Sequence, residues 1–228
     1  MTQEELKMAL ELHKKWLSNE SDGVRLDLRN ADLRGMDLTH ANLSYADLSG
    51  TNLSYAKLSH ADLSNANLTW AILNDANLYL ANLSHADLMH ANLTLADLSN
   101  ANCSDADMRF SILSDANLSH ADLRFAFLSF AYLSNSILIG ANLNDTELRW
   151  VNTINTVGLD VICVQLNTSD KNRQIQYYVQ LEKVTAGCFS GTLDELKKAV
   201  DEKHDKESVI YKRYQIALKT IEDILDTY

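Results

Sequence analysis

Large apolar residues recur at every fifth position over more than half of this chain. From Leu28 to Leu148, 23 of the 25 positions at this spacing are leucine, and the exceptions are Cys103 and Met108. The residue two positions before each of them is small in 23 of the 25 cases and alanine in 19, and the residue in between is Asp or Asn in 18. Residues 26–150 are therefore a series of Ala-Asp/Asn-Leu-Ser-Xaa units.

A period of five residues fits neither common secondary structure, because a helix repeats every 3.6 residues and a strand every 2. It fits a chain whose small residue and leucine point inward, with the other three residues outward and a corner in each unit. Coils of such a chain should stack about 4.8 Å apart, as neighbouring strands do. One coil alone cannot bury its leucines, so the pattern predicts a solenoid with a continuous core.

The unit resembles the A-[D/N]-L-X-X motif of the pentapeptide-repeat family. The resemblance covers about 125 of 228 residues without a break in register. It implies a mainly β fold, a right-handed quadrilateral β-helix with four units per coil and about six coils. We expect an N-terminal helical cap over residues 1–25, the solenoid over 26–152, and a small α+β C-terminal module over 153–228.

Both flanking segments carry signals of their own. Thr2 and Glu5 match a capping box that opens a helix over residues 3–18, in which His13 should pack inside the cap rather than bind a ligand. After Trp150, residues 159–166 and 174–184 read as two strands of a β-hairpin joined by 167–173. A second capping box, Thr192 with Glu195, opens a helix to about Lys203, and a last helix runs from about Ser208 to Asp226.

The apolar stripe of the last helix should pack on the hairpin and the last coil, and its alternative use is a homodimer contact. The stripe consists of Tyr211, Tyr214, Leu218, Ile221 and Leu225. The segment Gly187–Leu193 resembles part of a C-terminal module of phage and prophage repeat proteins.

Charge and cysteine content restrict the classes of function. The formal net charge is −11, and the 14 acidic and 6 basic residues of 26–150 account for −8 of it. Such a surface repels phosphates, so we expect no direct binding of nucleic acid. The three cysteines have no metal-like spacing, and neither a signal peptide nor an apolar run of membrane-spanning length is visible, which favours a cytoplasmic protein without a membrane contact.

Catalytic motifs are missing from the sequence, so we predict that the chain is not an enzyme and uses no cofactor or metal. It contains no phosphate loop, no GxSxG and no HExxH. His40 and His60 should stack on adjacent coils, and His120 falls in the same column, but ligands on one flat face complete no coordination shell.

One column of the predicted solenoid is acidic and contains Asp27, Asp47, Asp87 and Asp107. The family resemblance gives this column a meaning, because some members imitate B-form DNA in width and charge and inhibit type II topoisomerases. The arginines at positions 34, 109, 124 and 149 interrupt such a field. The competing interpretation is that these are ordinary solvated positions of the repeat.

A second surface feature is a row of apolar residues at positions that usually face water, called the aromatic edge below. Its members are Trp70, Ile72, Phe110, Ile112, Phe125, Phe127, Phe130, Tyr132 and Trp150. His90 and Asn92 are expected to form a polar gap in it. The C-terminal module folding back over the part from Phe110 onward is one explanation, and a protein-binding or dimer interface is the other.

These observations favour a non-enzymatic interaction protein of bacterial or phage origin. We expect it to bind an unidentified protein partner through the aromatic edge and the C-terminal module. The alternative is a DNA mimic that inhibits a topoisomerase or another DNA-handling enzyme through the acidic column.

Overall fold

The structure is a computed structural model that describes residues 1–159, 161–168, 171–186 and 189–227. The chain divides into two compact units, Met1–Gly158 and Leu159–Tyr228. The first unit begins with helix α1 (Gln3–Leu17) and continues as the solenoid. The solenoid extends past the expected boundary at residue 152, because Val157 still pairs with Ile137 one coil earlier.

Each five-residue unit forms one side of a four-sided coil. The residue at the centre of each side makes a parallel β-bridge to the residue 20 positions later, as Asp27 does with Asp47 and Ile112 with Tyr132. These bridges recur every five residues along the whole solenoid. The predicted coil of 20 residues is confirmed by this register.

The core of the solenoid contains the inward leucines and alanines, which are almost all fully buried. Cys103 and Met108 take leucine positions and are buried as well. Where a hydroxyl residue replaces the alanine, a main-chain carbonyl accepts its proton, as Met108 O does from Ser111 Oγ at 2.7 Å and Leu28 O from Thr51 Oγ1 at 2.7 Å. These buried polar groups are therefore satisfied and do not break the core.

The Asp or Asn of each unit makes the same hydrogen bond, which explains why either residue type can occupy this position. Its side-chain oxygen accepts a hydrogen bond from the backbone N–H two residues later, for example Asp97 Oδ1 from Ser99 at 3.0 Å and Asn92 Oδ1 from Thr94 at 3.1 Å. Both side chains offer this acceptor, so the bond does not require a negative charge.

Helix α1 covers the first coil. The capping box of Thr2 and Glu5 is present as predicted, and His13 is fully buried inside the cap. The chain then returns tightly over the helix at Gly23, where a Cβ atom would lie 2.2 Å from the backbone nitrogen of Trp16. Only glycine permits this approach, and the first coil begins directly afterwards.

The predicted hairpin is present in the second unit as its first two strands, an antiparallel pair, and two further strands extend it to a four-stranded antiparallel sheet. Its strands are β1 (Val161–Thr168), β2 (Lys171–Tyr178), β3 (Lys183–Ala186) and β4 (Phe189–Gly191), in the order β1-β2-β3-β4. The expected single strand over 174–184 is wrong because a 3₁₀ turn, Val179–Leu181, interrupts it. Glu182 then adopts a left-handed φ of 48°, and the chain reverses so that Lys183 pairs with Tyr178.

Helices α2 (Leu193–Lys203) and α3 (Val209–Leu225) complete this unit, and the capping box of Thr192 and Glu195 is confirmed. The predicted stripe of α3 packs in a shared core with the sheet, where Tyr214, Leu218 and Ile221 are buried. The stripe is thus used inside the unit. Two parts of the predictions, the middle of the connection 167–173 and the residues Gly187 and Cys188, lie outside the described residues. Within the described ranges, no helix is long and apolar enough to span a membrane.

Candidate functional site

The corners of the solenoid determine where the exposed rings lie. The two residues after each inward leucine form a turn, which is closed in one example by Ala71 N–H donating to Leu68 O at 3.0 Å. The second turn residue has a positive φ, which is 60° for Trp70 and for Phe110. Non-glycine residues rarely adopt this conformation, and here main-chain bonds to the next coil hold it, such as Trp70 N–H to Met89 O at 3.0 Å.

Five aromatic side chains at one corner stack into a continuous column, called the ring column below. Its members in order are Trp70, His90, Phe110, Phe130 and Trp150. The successive ring centroids are 4.1, 5.0, 4.9 and 6.5 Å apart, and no pair of planes differs by more than 12°. The repeat of the coil therefore holds the rings in parallel, about 20 Å from the first to the last.

The expected polar gap at His90 is wrong. Its imidazole is half-buried and lies between Trp70, at an interplanar angle of 9°, and Phe110, at 12°. An imidazole is a flat aromatic ring, so it continues the stack even though it is polar. Asn92 does interrupt the apolar residues of the neighbouring side. Its Oδ1 accepts a hydrogen bond from the Thr94 hydroxyl at 2.7 Å.

The side of the solenoid next to the ring column adds three exposed apolar residues. Ile72, Ile112 and Tyr132 lie in one column of bridges, with Asn92 between the two isoleucines. The ring column and this side form one apolar strip along the solenoid axis. The strip contains seven of the nine predicted residues.

The other two predicted residues, Phe125 and Phe127, belong elsewhere. Phe127 makes β-bridges to Asp107 and Glu147, so it lies within the acidic column. This column flanks the ring column on the side away from Ile112. Phe125 occupies the corner beyond that side. Both are exposed, and neither has a stacked ring partner among the described residues.

Arginines neutralise part of the acidic column. Asp27, Asp47, Asp87 and Asp107 do lie on one side of the solenoid, in a column that also contains Asn67. Arg29 pairs with Asp27 at 2.7 Å and lies 3.7 Å from Asp47. Its hydrogen bonds to Asp27 lower the pKa of that carboxyl to about 2.

The same pairing recurs wherever the solenoid contains an arginine. Each arginine bonds the acidic residue two positions earlier in its own unit, and the further pairs are Asp32 with Arg34, Asp107 with Arg109, Asp122 with Arg124, and Glu147 with Arg149. The signal in the sequence is the acid-Leu/Met-Arg triplet, which lies along one unit and is not visible within a single column. A unit with this triplet has no net charge, so the surface is less negative than the count of carboxylates suggests.

Histidines form a smaller stack at the diagonal corner. His40 and His60 have ring centroids 4.7 Å apart, as the predicted coil spacing requires, and Tyr79 meets His60 edge-on at 5.9 Å. His120 occupies the same column further along, beside Gly140. Within the described part of the chain, no group of three or more His, Cys, Asp or Glu residues could hold a metal ion.

The repeats match the family model for pentapeptide repeats, which finds eight copies in four segments, 25–54, 51–88, 76–115 and 116–152. The chain belongs to the pentapeptide-repeat family. Members of this family adopt a right-handed β-helix, in agreement with the coil seen here, and they are generally structural or interaction proteins rather than enzymes. No catalytic family is indicated for the chain.

Solved structures of other pentapeptide-repeat proteins are similar to this chain. HetL, involved in heterocyst differentiation regulation in the cyanobacterium Nostoc sp. strain PCC 7120, is 30% identical, with 62% of this chain and 70% of HetL covered and a TM-score of 0.49. Rfr23 from the cyanobacterium Cyanothece 51142 is also 30% identical, with 66% and 98% covered and a TM-score of 0.41. The plasmid-mediated fluoroquinolone resistance protein QnrB1 is 18% identical, with 59% and 84% covered and a TM-score of 0.37. A comparison with curated proteins finds no match.

Proposed function

We propose that this pentapeptide-repeat protein binds a protein partner through the strip formed by the ring column and the neighbouring apolar side. The observation that carries the proposal is the column of five stacked rings at an exposed corner. Trp70 has 64% of its surface exposed, and Phe130 and Tyr132 about half of theirs. Exposed aromatic groups in a continuous row are typical of interface anchors.

The rigidity of the column favours binding. Each inner ring is held between two neighbours, and the corners of Trp70, His90, Phe110 and Phe130 are fixed by main-chain hydrogen bonds to the next coil. A partner that covers these rings therefore immobilises little that was free before, so less conformational entropy opposes binding.

The two sides that flank the ring column differ in a way that suits a protein interface. One is the apolar side of the strip, with Ile72, Ile112 and Tyr132, and the other lies outside the strip and contains the ion pairs Asp107–Arg109 and Glu147–Arg149. A typical interface likewise has an apolar centre and a polar rim. The strip is convex, so the partner should offer a groove about as long as the 20 Å column.

The C-terminal unit supplies a second candidate contact. Val209 and Ile216 on α3 are exposed, and a spacing of seven residues places them on one face two turns apart. We propose that this face of α3 contacts the same protein partner as the aromatic edge. The likeness of the unit to modules of phage proteins, and a bacterial or phage origin, remain part of the proposal.

The decisive test is affinity capture from a bacterial lysate with the full chain and two matched variants. Phe110→Ser interrupts the ring column, whereas Leu80→Ser removes an exposed apolar side chain at the diagonal corner, at a similar φ of 55°. We expect a salt-resistant partner that Phe110→Ser loses and Leu80→Ser retains. Urea unfolding of both variants verifies the fold. A partner retained by folded Phe110→Ser protein contradicts the proposal.

DNA mimicry by the acidic column is the second candidate, and the net charge of −8 in residues 26–150 favours it. The arginine pairs described above oppose it. Mimicry requires inhibition of a type II topoisomerase at low salt, and the inhibition should strengthen when Arg29 and Arg109 are replaced by glutamine, because their carboxylates lose their counter-charges. Supercoiling assays that show no inhibition at low salt by either form remove this candidate.

A further inference from the structure

Helix α1 carries a row of charged residues whose sign alternates, called the charged row below. Its members are Glu4, Lys7, Glu11 and Lys14, and all four are exposed. Their spacing of three, four and three residues places them on one face of the helix, about 15 Å from the first to the last. The face with Leu6 and His13, the two fully buried residues of the helix, points elsewhere.

The charges of this row are not used within the described part of the chain. The row makes no ion pair or side-chain hydrogen bond there, although its successive members have the spacing of ion pairs along a helix. The other charged residues of the helix are engaged, because Glu5 accepts the N–H of Thr2 at 2.8 Å and Lys15 pairs with Asp22 at 2.5 Å. The charged row is therefore available to another molecule.

The charged row is complementary to itself. When it is read in the reverse direction, every charge is replaced by its opposite. A two-fold axis near Ala9 brings two copies of α1 together antiparallel, so that Glu4 of each copy faces Lys14 of the other and Lys7 faces Glu11. A second copy of the chain thus matches the row at all four positions.

Apolar side chains border the charged row on one flank. Met8 has 69% of its surface exposed and Leu12 40%, and Val24, whose N–H donates to Leu12 O at 3.0 Å, extends this flank. The two-fold axis keeps the flank on the same side of both helices, so Met8 of one copy approaches Leu12 of the other. Burial of these side chains should supply most of the affinity, because exposed ion pairs contribute little energy and mainly fix the register.

The balance of charge favours contact at the cap. Residues 1–25 contain five acidic and four basic side chains, whereas residues 26–150 carry a net charge of −8. Two copies therefore repel each other along their solenoids and repel each other least at their caps.

We infer that α1 binds α1 of a second copy of this chain in an antiparallel contact with two-fold symmetry. One helix offers a short contact, so the dimer should be weak and should form only at high protein concentration. The inference is independent of the proposed function, because none of its residues belongs to the ring column or to the apolar side next to it.

The test is small-angle X-ray scattering of the full chain, which measures the mean mass, at concentrations up to about 1 mM. The mass should rise from monomer to dimer. Lys7→Glu and Glu11→Lys each oppose like charges at two symmetric points, and each should weaken the dimer about tenfold or more. Both substitutions in one chain should restore the dimer, and so should an equimolar mixture of the two single variants.

A matched control lies on helix α2. Lys198 and Glu202 have the same order and spacing as Lys7 and Glu11, so Lys198→Glu makes the same local change and should leave the dimer unchanged. Met8→Gln should weaken the dimer about tenfold, because it removes apolar contact. Urea unfolding of each variant verifies the fold, and repair by the mixture excludes a damaged cap as the cause of the loss.

Three outcomes would overturn the inference. They are a chain that remains monomeric at about 1 mM, a dimer that Lys7→Glu leaves unchanged, and single variants that neither the mixture nor the double variant repairs. A dimer that persists in Lys7→Glu and is lost in Phe110→Ser would place self-association on the ring column instead. The proposed function is judged separately by partner capture, since Lys7→Glu does not alter the strip.

Discussion

The backbone N–H of Leu26 donates a hydrogen bond to Nδ1 of His13, at 3.1 Å, and so ties helix α1 to the start of the first coil. The other ring nitrogen, Nε2, donates to Ser44 O at 2.9 Å. Both bonds exist only in the neutral imidazole with its proton on Nε2. Burial lowers the pKa of His13, the bond to Ser44 opposes this, and the nearby Arg25 lowers it further.

Acid should therefore loosen the cap. The pKa of His13 is lower in the folded than in the unfolded chain, so between the two values the unfolded state binds the extra proton and stability rises with pH. The contribution is complete above the unfolded value of about 6.5 and decreases as the pH falls below it. We expect the thermal midpoint to fall between pH 7 and pH 5, and His13→Gln to lose much of this slope. An unchanged slope in His13→Gln would contradict the assignment.

Removal of α1 should expose an edge that invites self-association. The Gln3 side chain imitates a neighbouring strand, because its Nε2 donates to Asp37 O at 2.8 Å and its Oε1 accepts from Asp37 N–H at 3.3 Å. A chain that begins at Val24 leaves this edge unpaired. Light scattering should show concentration-dependent oligomers of the truncated chain. Gln3→Leu, which keeps the helix, should show far less association.

The corners offer a stabilising substitution. Leu95 has a φ of 61° and an exposed side chain, and its corner neighbours Asp75 and Asp115 provide no ring to stack on. Asparagine tolerates this conformation better, so Leu95→Asn should raise the free energy of unfolding by about 0.5–1 kcal/mol. Phe110→Asn, at φ 60°, should not stabilise, because it loses two stacked neighbours. Urea titration of both variants decides whether backbone strain or ring stacking dominates at each corner.

The Asp side of an ion pair should matter more to stability than the Arg side. Asp122 bonds the guanidinium of Arg124 and also accepts the backbone N–H of that residue at 3.2 Å. Asp122→Asn keeps the backbone bond and should be nearly neutral, whereas Asp122→Ala should lower the urea midpoint more than Arg124→Ala does. An equal loss in Asp122→Asn and Asp122→Ala would show that the ion pair dominates.

Cys103 should be protected from thiol reagents as long as the solenoid is folded. It is fully buried in the leucine stack, and burial raises its pKa to about 12. Iodoacetamide labelling followed by peptide mass spectrometry should find Cys103 unmodified in buffer and modified in urea. Labelling in buffer at the rate seen in urea would mean that the core opens locally near this coil.

Much of the solenoid could be predicted because position within a repeat determines position in space. Once the period of five was recognised, the register placed Trp70, Phe110 and Phe130 in one corner column, and the ring centroids confirm this. It also placed His40 on His60. A repeat of 20 residues per coil converts separation along the chain into distance along the axis, so contacts between coils are readable from sequence alone.

Side-chain conformation decided the features that the sequence did not reveal. His90 joins the ring column because stacking depends on the plane of the ring rather than its polarity, and the arginines fold back onto their own units instead of projecting into the field of the acidic column.

In the C-terminal unit, less of the structure could be predicted from the sequence. Its two helices follow from local signals, the capping box at Thr192 and the N-cap serine Ser208. Its four-stranded sheet required tertiary structure, because strand pairing such as Tyr178 with Lys183 depends on a left-handed residue, Glu182, for which composition gives no signal. The coil, its core and the columns on its surface follow from a strict period, so they can be derived from the order of the residues. The stacking of the rings, the cancelling of charges and the pairing of the last strands depend on contacts that no period specifies, so these features were found in the folded chain.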